Sequence, residues 1–233
     1  FIISRQNMLM KKLRYQEFKY NTYFIAGVEN IQPLHMQKNE SKEDTLIRIV
    51  KDFAENGLDV FQLRCKKSND SDLKRYIFKI SKAIENTNCK LCLNDNPKLA
   101  LETKDVVDIL HIGQDDISPK KAREMIGTKM KLGLSITNIS QLKKVPKCVD
   151  YLGVGPIYPT PSKEDASLPI GELDLQSIIS KTTLPVIAIG GIKMKNIKKL
   201  FKIGVSGVAI ISELLQKKNN VDLLRKLKKI AIR

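Results

Sequence analysis

Residues 149–163 read VDYLGVGPIYPTPSK, an apolar run that passes directly into a stretch rich in glycine, proline and hydroxyl side chains. The apolar part, residues 149–154, is typical of a buried strand. Residues 153–163 do not suit a helix interior or a central strand, because proline removes a backbone donor and glycine adds chain entropy. They predict a shaped loop at a strand end. Small residues, hydroxyls and a closing lysine suit phosphate binding, and an ordinary turn-rich surface loop is the alternative.

The same alternation of an apolar run and a helical pattern recurs along the chain. Apolar and β-branched runs predict eight strands, at residues 22–26, 58–63, 89–93, 106–112, 130–134, 149–154, 184–189 and 205–211. Each run is followed by apolar residues at helical spacing, such as positions 73, 76, 77, 80 and 84. Strands that alternate with helices pair in parallel through right-handed crossovers, and continuous apolar strands are buried on both faces.

Eight strand–helix units predict a closed (β/α)8 TIM barrel, an α/β fold. We expect a single domain over residues 21–233, preceded by a short basic extension at residues 1–20. A doubly wound open sheet is the alternative. It is disfavoured because only Gly27, and no GxGxxG fingerprint, follows the first strand.

The net charge of +16 on 233 residues raises the question of nucleic-acid binding. Residues 1–20 carry five Lys or Arg against one acid, and residues 216–233 carry seven against one. No aromatic residues are interleaved with these charges, so they indicate a solvated surface rather than a nucleic-acid site. No apolar run approaches the roughly 18 residues of a transmembrane helix. Because residues 1–3 are too short an apolar run for a signal peptide, we expect a cytoplasmic protein without a membrane partner.

The four cysteines do not predict a metal cluster. Cys89 and Cys92 form one close pair, and no second pair completes a zinc site. On a strand, a spacing of three directs the two side chains to opposite faces. We therefore expect both to be small buried hydrophobic residues.

Basic side chains follow the second predicted strand. Gln62, Arg64 and Lys66 share one face because side chains alternate along a strand. Two cations and an amide suit a multiply charged anion such as diphosphate, and arginine supplies a planar fork. A salt-bridged surface cluster is the alternative.

Carboxylates follow the third and fourth strands, where the active site of a barrel lies. Asn94 and Asp95 come after the third strand and Asp116 after the fourth. Mg²⁺ takes one or two protein carboxylates and completes its octahedron with water and phosphate oxygens, so Asp95 and Asp116 are candidate Mg²⁺ ligands. The alternative is that Asp95 or Asp115 caps the following helix. His111 is a second catalytic candidate, with a hydrogen-bonded structural role as its alternative.

The remaining strand ends carry small and hydroxyl residues. Ser135 ends the fifth strand, Gly190 and Gly191 follow the seventh, and Ile211 and Ser212 follow the eighth. Loops after the seventh and eighth strands commonly bind phosphate in this fold. The sequence therefore predicts two anion sites at one end of the barrel, one cationic and metal-assisted, the other built from amides and hydroxyls.

The motifs QLRxK, LND, HIGQxD, GxS, GPIYPTxxK and IGGI occur in this order and together resemble the thiamine phosphate synthase family. The resemblance implies a transferase of thiamine biosynthesis. Such enzymes join 4-amino-5-hydroxymethyl-2-methylpyrimidine diphosphate to 4-methyl-5-(2-hydroxyethyl)thiazole phosphate. The diphosphate leaves first, and the thiazole nitrogen captures the resulting pyrimidine carbocation.

The resemblance also implies roles for individual residues. The implied catalytic residues are Arg64, Lys66, Ser135 and Lys163, with Mg²⁺ on Asp95 and Asp116. The diphosphate is implied to contact Gln62, Arg64, Lys66, Asn94 and Lys163, the pyrimidine Ser135, and the thiazole phosphate Thr160, Ser162, Gly191, Ile211 and Ser212. Small-molecule substrates are therefore the expected partners, and a homo-oligomer is compatible with the sequence.

Three positions depart from the family pattern. Cys65 stands in place of a glutamate, Ser162 in place of a threonine, and Thr137 in place of a histidine. Ser162 keeps the hydroxyl, whereas Cys65 removes an acid beside two cations. The related thiazole tautomerase and a non-catalytic basic barrel that binds nucleic acid are the alternative functions. A tautomerase has no need of the cationic and metal-binding residues, so their presence favours the synthase.

Overall fold

The structure, a computed structural model, describes residue 18 and residues 20–160, 168–216 and 220–231. Eight parallel strands form a closed barrel in which β1 pairs with both β2 and β8. The strands are β1 Thr22–Ala26, β2 Val60–Leu63, β3 Lys90–Asn94, β4 Ile109–Ile112, β5 Lys131–Ile136, β6 Tyr151–Val154, β7 Val186–Ile189 and β8 Gly207–Ile210. The predicted (β/α)8 barrel is confirmed, and the open sheet is excluded by the β1–β8 pairing.

In the described part of the chain, one α-helix follows each strand. The helices are α1 Lys42–Glu55, α2 Asp70–Ile84, α3 Pro97–Glu102, α4 Pro119–Ile126, α5 Ile139–Leu142, α6 Gly171–Lys181, α7 Met194–Ile203 and α8 Val221–Ala231. Short 3-10 turns, Val28–Asn30 and Pro33–His35, lie between β1 and α1, and Ser212–Leu215 follows β8. None of the helices in these ranges is both long and apolar enough to cross a bilayer.

Four polar side chains immediately precede the even-numbered strands and tie them to the odd-numbered strands. They are Asp59, Asp108, Asp150 and Ser206. Each accepts a hydrogen bond from an amide at the start of the preceding strand. The donors are Thr22, Leu91, Leu132 and Val186, at 2.9, 2.9, 2.7 and 3.3 Å respectively. The even-numbered strands begin directly after these four residues, two or three positions later than the hydrophobic pattern predicts.

The hydrophobic core has two layers, one between the barrel and its helices and one inside the barrel. Cys89 is buried in the outer layer and Cys92 in the inner layer, so the prediction that they face opposite sides is confirmed. Phe18, which the sequence assigns to the N-terminal extension, also packs in the inner layer, with its ring centroid 5.4 Å from that of Tyr151. The other residues of the extension, apart from Tyr20, lie outside the described residues.

We expect Asp59→Ala to lower the free energy of unfolding by about 2–4 kcal/mol. Its Oδ2 atom accepts from the amides of Asn21 and Thr22 and from the Thr22 hydroxyl, each at 2.9 Å, and its Oδ1 atom pairs with Lys228. Removal of the carboxylate leaves these partly buried donors unpaired. Urea denaturation measures the change.

The matched control is Asp222→Ala, because Asp222 forms an ion pair with Arg225 on the exposed surface of α8. We expect this variant to stay within about 0.5 kcal/mol of the parent chain. Equal losses in both variants would contradict the role given to Asp59.

Candidate active site

The loops that follow β2 and β3 enclose a cavity of about 380 Å³ at the carboxyl ends of the strands. Arg64, Lys66, Asn94 and Asp95 line this cavity, so the structure brings together four residues that the sequence assigns to the diphosphate and metal sites. Gln62 lies deeper. It is 4% exposed, and its Nε2 atom donates to the Cys92 sulphur at 3.5 Å inside the barrel.

The loop that carries Arg64 and Lys66 is held by the loop that follows β1. The Arg64 amide donates to the Ala26 carbonyl at 3.1 Å, and the Lys66 amide donates to Glu29 Oε1 at 2.9 Å. A β-carbon at position 27 would overlap the Arg64 carbonyl oxygen and the Cys65 sulphur, so only Gly27 allows this approach. The two loops therefore place the cationic side chains as one unit.

Glu29 lies beside Cys65, the position at which the family pattern has a glutamate. Burial, together with the Glu29 carboxylate beside it, raises the pKa of the Cys65 thiol to about 12, so the thiol stays neutral at pH 7. Glu29 instead brings a negative charge next to the backbone between the two cations. The sequence analysis missed this residue, because only the folded loop brings position 29 to position 66.

Asp95 is not a helix cap. Asn96 caps α3 by accepting from the Leu99 amide at 2.9 Å, and Ser118 caps α4, so the helix-capping alternative is wrong for Asp95 and for Asp115. Asp95 has a positive φ of 63°, and its amide donates to the His111 carbonyl at 2.8 Å. This uncommon conformation of a non-glycine residue holds Asp95 at the junction of β3 and β4.

Asp95 and Asp116 meet at the edge of the cavity. Although Asp95 keeps exposed surface, partial burial of its carboxyl and the adjacent Asp116 carboxyl raise the pKa of Asp95 to about 7. Asp116 Oδ2 accepts from the Gly113 amide at 2.6 Å, and the Asp116 carboxyl is also hydrogen-bonded to that of Asp95.

This carboxylate pair fits the chemistry of Mg²⁺. Within the described ranges, no group of three or more His, Cys, Asp and Glu side chains is arranged to hold a metal. Mg²⁺ does not require such a cage, because it retains water and binds phosphate oxygens beside one or two carboxylates. Asp95 and Asp116 therefore suit a metal that is shared with a phosphorylated substrate.

A buried chain of hydrogen-bonding groups reaches Ser135 from inside the barrel. The Ser135 hydroxyl lies 2.9 Å from His111 Nε2, and His111 Nδ1 lies 2.9 Å from the Tyr151 hydroxyl. Gly153 provides room for the imidazole, because a β-carbon there would lie 2.9 Å from His111 Cε1. In the sequence, Tyr151 belongs to an apolar run. The signal that indicates its place beside His111 is that Tyr151 and Gly153 share an inward face of the strand.

The loops after β6 and β7 pack closely together. The Ile157 amide donates to the Ile189 carbonyl at 2.9 Å, and the Tyr158 amide donates to the Gly190 carbonyl at 3.1 Å. Gly191 has a positive φ of 64°, and a β-carbon there would lie 2.5 Å from the Pro159 carbonyl oxygen.

Of the predicted thiazole-phosphate residues, Thr160, Gly191, Ile211 and Ser212 follow the three neighbouring strands β6, β7 and β8. The turn Ser212–Leu215 is joined to the start of α7, because the Met194 amide donates to Glu213 Oε1 at 3.3 Å. Ser162 and Lys163 lie outside the described residues, so their predicted roles stay predictions.

A cavity lined by Arg64 and Lys66, a carboxylate pair and a group of glycine-containing loops thus occupy one end of a closed barrel. This arrangement fits a (β/α)8-barrel enzyme whose active site lies at the carboxyl ends of the strands and is suited to anionic ligands.

Comparison with known proteins identifies the family. The family model for thiamine monophosphate synthase matches residues 34–214. The thiamine-phosphate synthase of Lactococcus lactis subsp. cremoris (strain MG1363) is 37% identical over 203 residues, which cover 85% of this chain and 89% of that protein. The thiamine-phosphate synthase of Methanobrevibacter smithii is 35% identical over 182 residues, with coverage of 78% and 86%.

The thiamine phosphate pyrophosphorylase of Pyrococcus furiosus has the same fold, with a TM-score of 0.77 at 24% identity over 94% of this chain and 98% of that one. The chain belongs to the thiamine monophosphate synthase family and is a transferase.

We expect Asp95→Asn to stabilise the metal-free protein increasingly as the pH rises from 5 to 8. An aspartate in the unfolded chain titrates near 3.9, whereas folding raises the pKa of Asp95 to about 7, so wild-type stability is lost as the carboxyl ionises through this interval. The asparagine side chain of the variant does not ionise, so the variant avoids that loss of stability. Urea denaturation in the presence of a chelator measures the difference at each pH.

After addition of Mg²⁺ at pH 8, we expect the wild type to be more stable than Asp95→Asn, because a metal held by both carboxylates would stabilise only the chain that keeps them. Asp115→Asn, in the same loop as Asp116, is the matched control and should respond to Mg²⁺ like the wild type. An equal gain from Mg²⁺ in the Asp95 variant would exclude Asp95 as a ligand.

Proposed function

We propose that this protein joins 4-amino-5-hydroxymethyl-2-methylpyrimidine diphosphate to 4-methyl-5-(2-hydroxyethyl)thiazole phosphate, with release of diphosphate. The observation that carries the proposal is the cavity that Arg64, Lys66, Asn94 and Asp95 line, at the same end of the barrel as the glycine-containing loops. A reaction with two phosphorylated substrates requires two separate anion sites. Membership of the thiamine monophosphate synthase family supports the same assignment.

The proposed reaction begins with heterolysis of the bond between the pyrimidine methylene carbon and the diphosphate oxygen. The electron pair leaves with the diphosphate, and the carbon becomes a cation. Arg64 and Lys66 bind the leaving group and neutralise the charge that develops on it. Mg²⁺ on Asp95 and Asp116 would supply further positive charge to the diphosphate when bound.

The second step forms the bond between carbon and the thiazole nitrogen. This nitrogen has a free lone pair and no proton to lose, so no general base is required. The chain contributes position: the Ser135 hydroxyl, oriented by His111, contacts the pyrimidine, while Thr160, Gly191 and Ser212 bind the thiazole phosphate. Ser162 and Ile211 complete that second site in the proposal, and Lys163 reaches the departing diphosphate.

The thiazole tautomerase alternative differs in its chemistry, because it has no diphosphate to bind. The cavity beside Asp95 would then have no ligand. A non-catalytic nucleic-acid-binding barrel is disfavoured by membership of an enzyme family. A cytoplasmic location, small-molecule partners alone and a homo-oligomeric state remain part of the proposal.

The proposal is tested by incubation of the protein with both substrates, with and without Mg²⁺, followed by detection of thiamine phosphate and diphosphate in equal amounts. We expect a product that depends on Mg²⁺. Folded protein that forms no product would contradict the proposed function. In a separate incubation with a thiazole carboxylate phosphate, isomerisation of that compound by the same protein would establish the tautomerase.

We expect Lys66→Ala to reduce turnover by about a hundredfold, on the order of 3 kcal/mol of transition-state stabilisation. Lys67→Ala is the matched control, because Lys67 is the adjacent lysine and does not line the cavity. Steady-state kinetics of both variants distinguish a local effect from a general loss of positive charge. Similar rates in the two variants would place the diphosphate elsewhere.

A further inference from the structure

The segment between β1 and α1 contains a buried histidine that the proposed reaction does not use. His35 ends the turn Pro33–His35, is 1% exposed and is one of two histidines in the chain. A buried imidazole needs partners for both ring nitrogens.

Both partners of the His35 ring are defined. The Gln32 amide donates to Nδ1 at 2.9 Å, so Nδ1 is the acceptor, and the proton of the neutral ring is on Nε2. Nε2 therefore donates to the Leu215 carbonyl at 2.7 Å. This hydrogen bond joins residues 180 positions apart and links the loop after β1 to the turn after β8.

The backbone of His35 is anchored independently of its ring. Arg48 on α1 donates to the His35 carbonyl at 2.9 Å, and its guanidinium pairs with Glu40 at 2.8 Å. Hydrogen bonding to Arg48 lowers the pKa of Glu40 to about 2, and the Thr45 hydroxyl donates to the same carboxylate at 2.8 Å. The imidazole thus extends from a fixed support on α1.

The turn Ser212–Leu215 is held at its carboxyl end. His35 donates to the Leu215 carbonyl, and Asn220 donates to the Leu214 carbonyl at 2.9 Å. The Leu214 side chain is 1% exposed, so it fixes the turn from inside. The opposite end of the turn begins at Ser212, which the proposed function places at the thiazole phosphate.

We propose that His35 is a positioning residue for the thiazole-phosphate site. The hydrogen bond from Nε2 to Leu215 sets the position of the turn Ser212–Leu215 relative to the loops after β6 and β7. Because Arg48 holds the His35 backbone separately, loss of this one bond loosens the carboxyl end of the turn without displacing the loop after β1. The inference rests on the proposed function, which places the phosphate at this turn.

Two variants distinguish the hydrogen bond made by Nε2 from the one made by Nδ1. The Gln side chain in His35→Gln places an amide N–H near the position of Nε2 and can keep the bond to Leu215. The Asn side chain in His35→Asn places an acceptor near Nδ1 and keeps only the bond from Gln32. Both variants remove the same ring from the same buried place, so each controls for the general loss of packing.

We expect His35→Asn to raise KM for the thiazole phosphate about tenfold and to leave KM for the pyrimidine diphosphate and kcat within about threefold of wild type. His35→Gln should retain most of the wild-type KM. Equal KM values in the two variants, or equal rises for both substrates, would overturn the inference.

Hydrogen exchange of the amides in residues 212–216 supplies a readout that does not depend on activity. We expect faster exchange there in His35→Asn than in His35→Gln, with unchanged exchange in α1. A wild-type protein without synthase activity would refute only the proposed function. Equal exchange in the two variants would show that the hydrogen bond from His35 to Leu215 does not hold the turn, and would overturn the inference.

Discussion

Parallel pairing of β1 with β8 is the constraint on which the rest of the molecule depends, because it closes the sheet with all strands in one direction. Every loop that leads from a strand to a helix therefore leaves the barrel at the same end. At the opposite end, Asp59, Asp108, Asp150 and Ser206 tie neighbouring strands together. Contacts that stabilise the barrel and residues that suit chemistry are thus separated by the length of the strands.

The charges at the active-site end are arranged for a ligand. The Asp95 carboxyl, next to that of Asp116, is costly to ionise without a counter-ion, as its raised pKa of about 7 shows. The cations Arg64 and Lys66 line the same cavity as Asp95. A metal-bound diphosphate would balance both kinds of charge. Its anionic oxygens would attract the two cations, and its metal would be held by the two carboxylates.

Local patterns predicted the fold, and the order of residues along the chain brought Arg64, Lys66, Asn94 and Asp95 to one cavity. Strand ends were predictable because the hydrophobic runs end where the strands end. Strand starts were less predictable, because Asp108 and Asp150 lie within the predicted runs but bind the neighbouring strands through their side chains instead of beginning a strand. Contacts between distant loops left no local signal. Glu29 reaches the Lys66 amide only when β1 pairs with β2, and His35 reaches Leu215 only when β8 closes the barrel against β1. From the sequence, Asp95 could be a metal ligand or a helix cap, and the structure excludes the second role because Asn96 caps α3.

The central claim is that one barrel end holds two distinct anion sites, one cationic and metal-assisted and the other built from loops after β6, β7 and β8. A crystal structure of the protein with thiamine phosphate, diphosphate and Mg²⁺ tests it most directly. The account predicts diphosphate against Arg64 and Lys66, with the metal on Asp95 and Asp116, and the phosphate of thiamine phosphate beside Gly191 and Ser212. Diphosphate at Gly191 and Ser212, or both anions in one site, would contradict it.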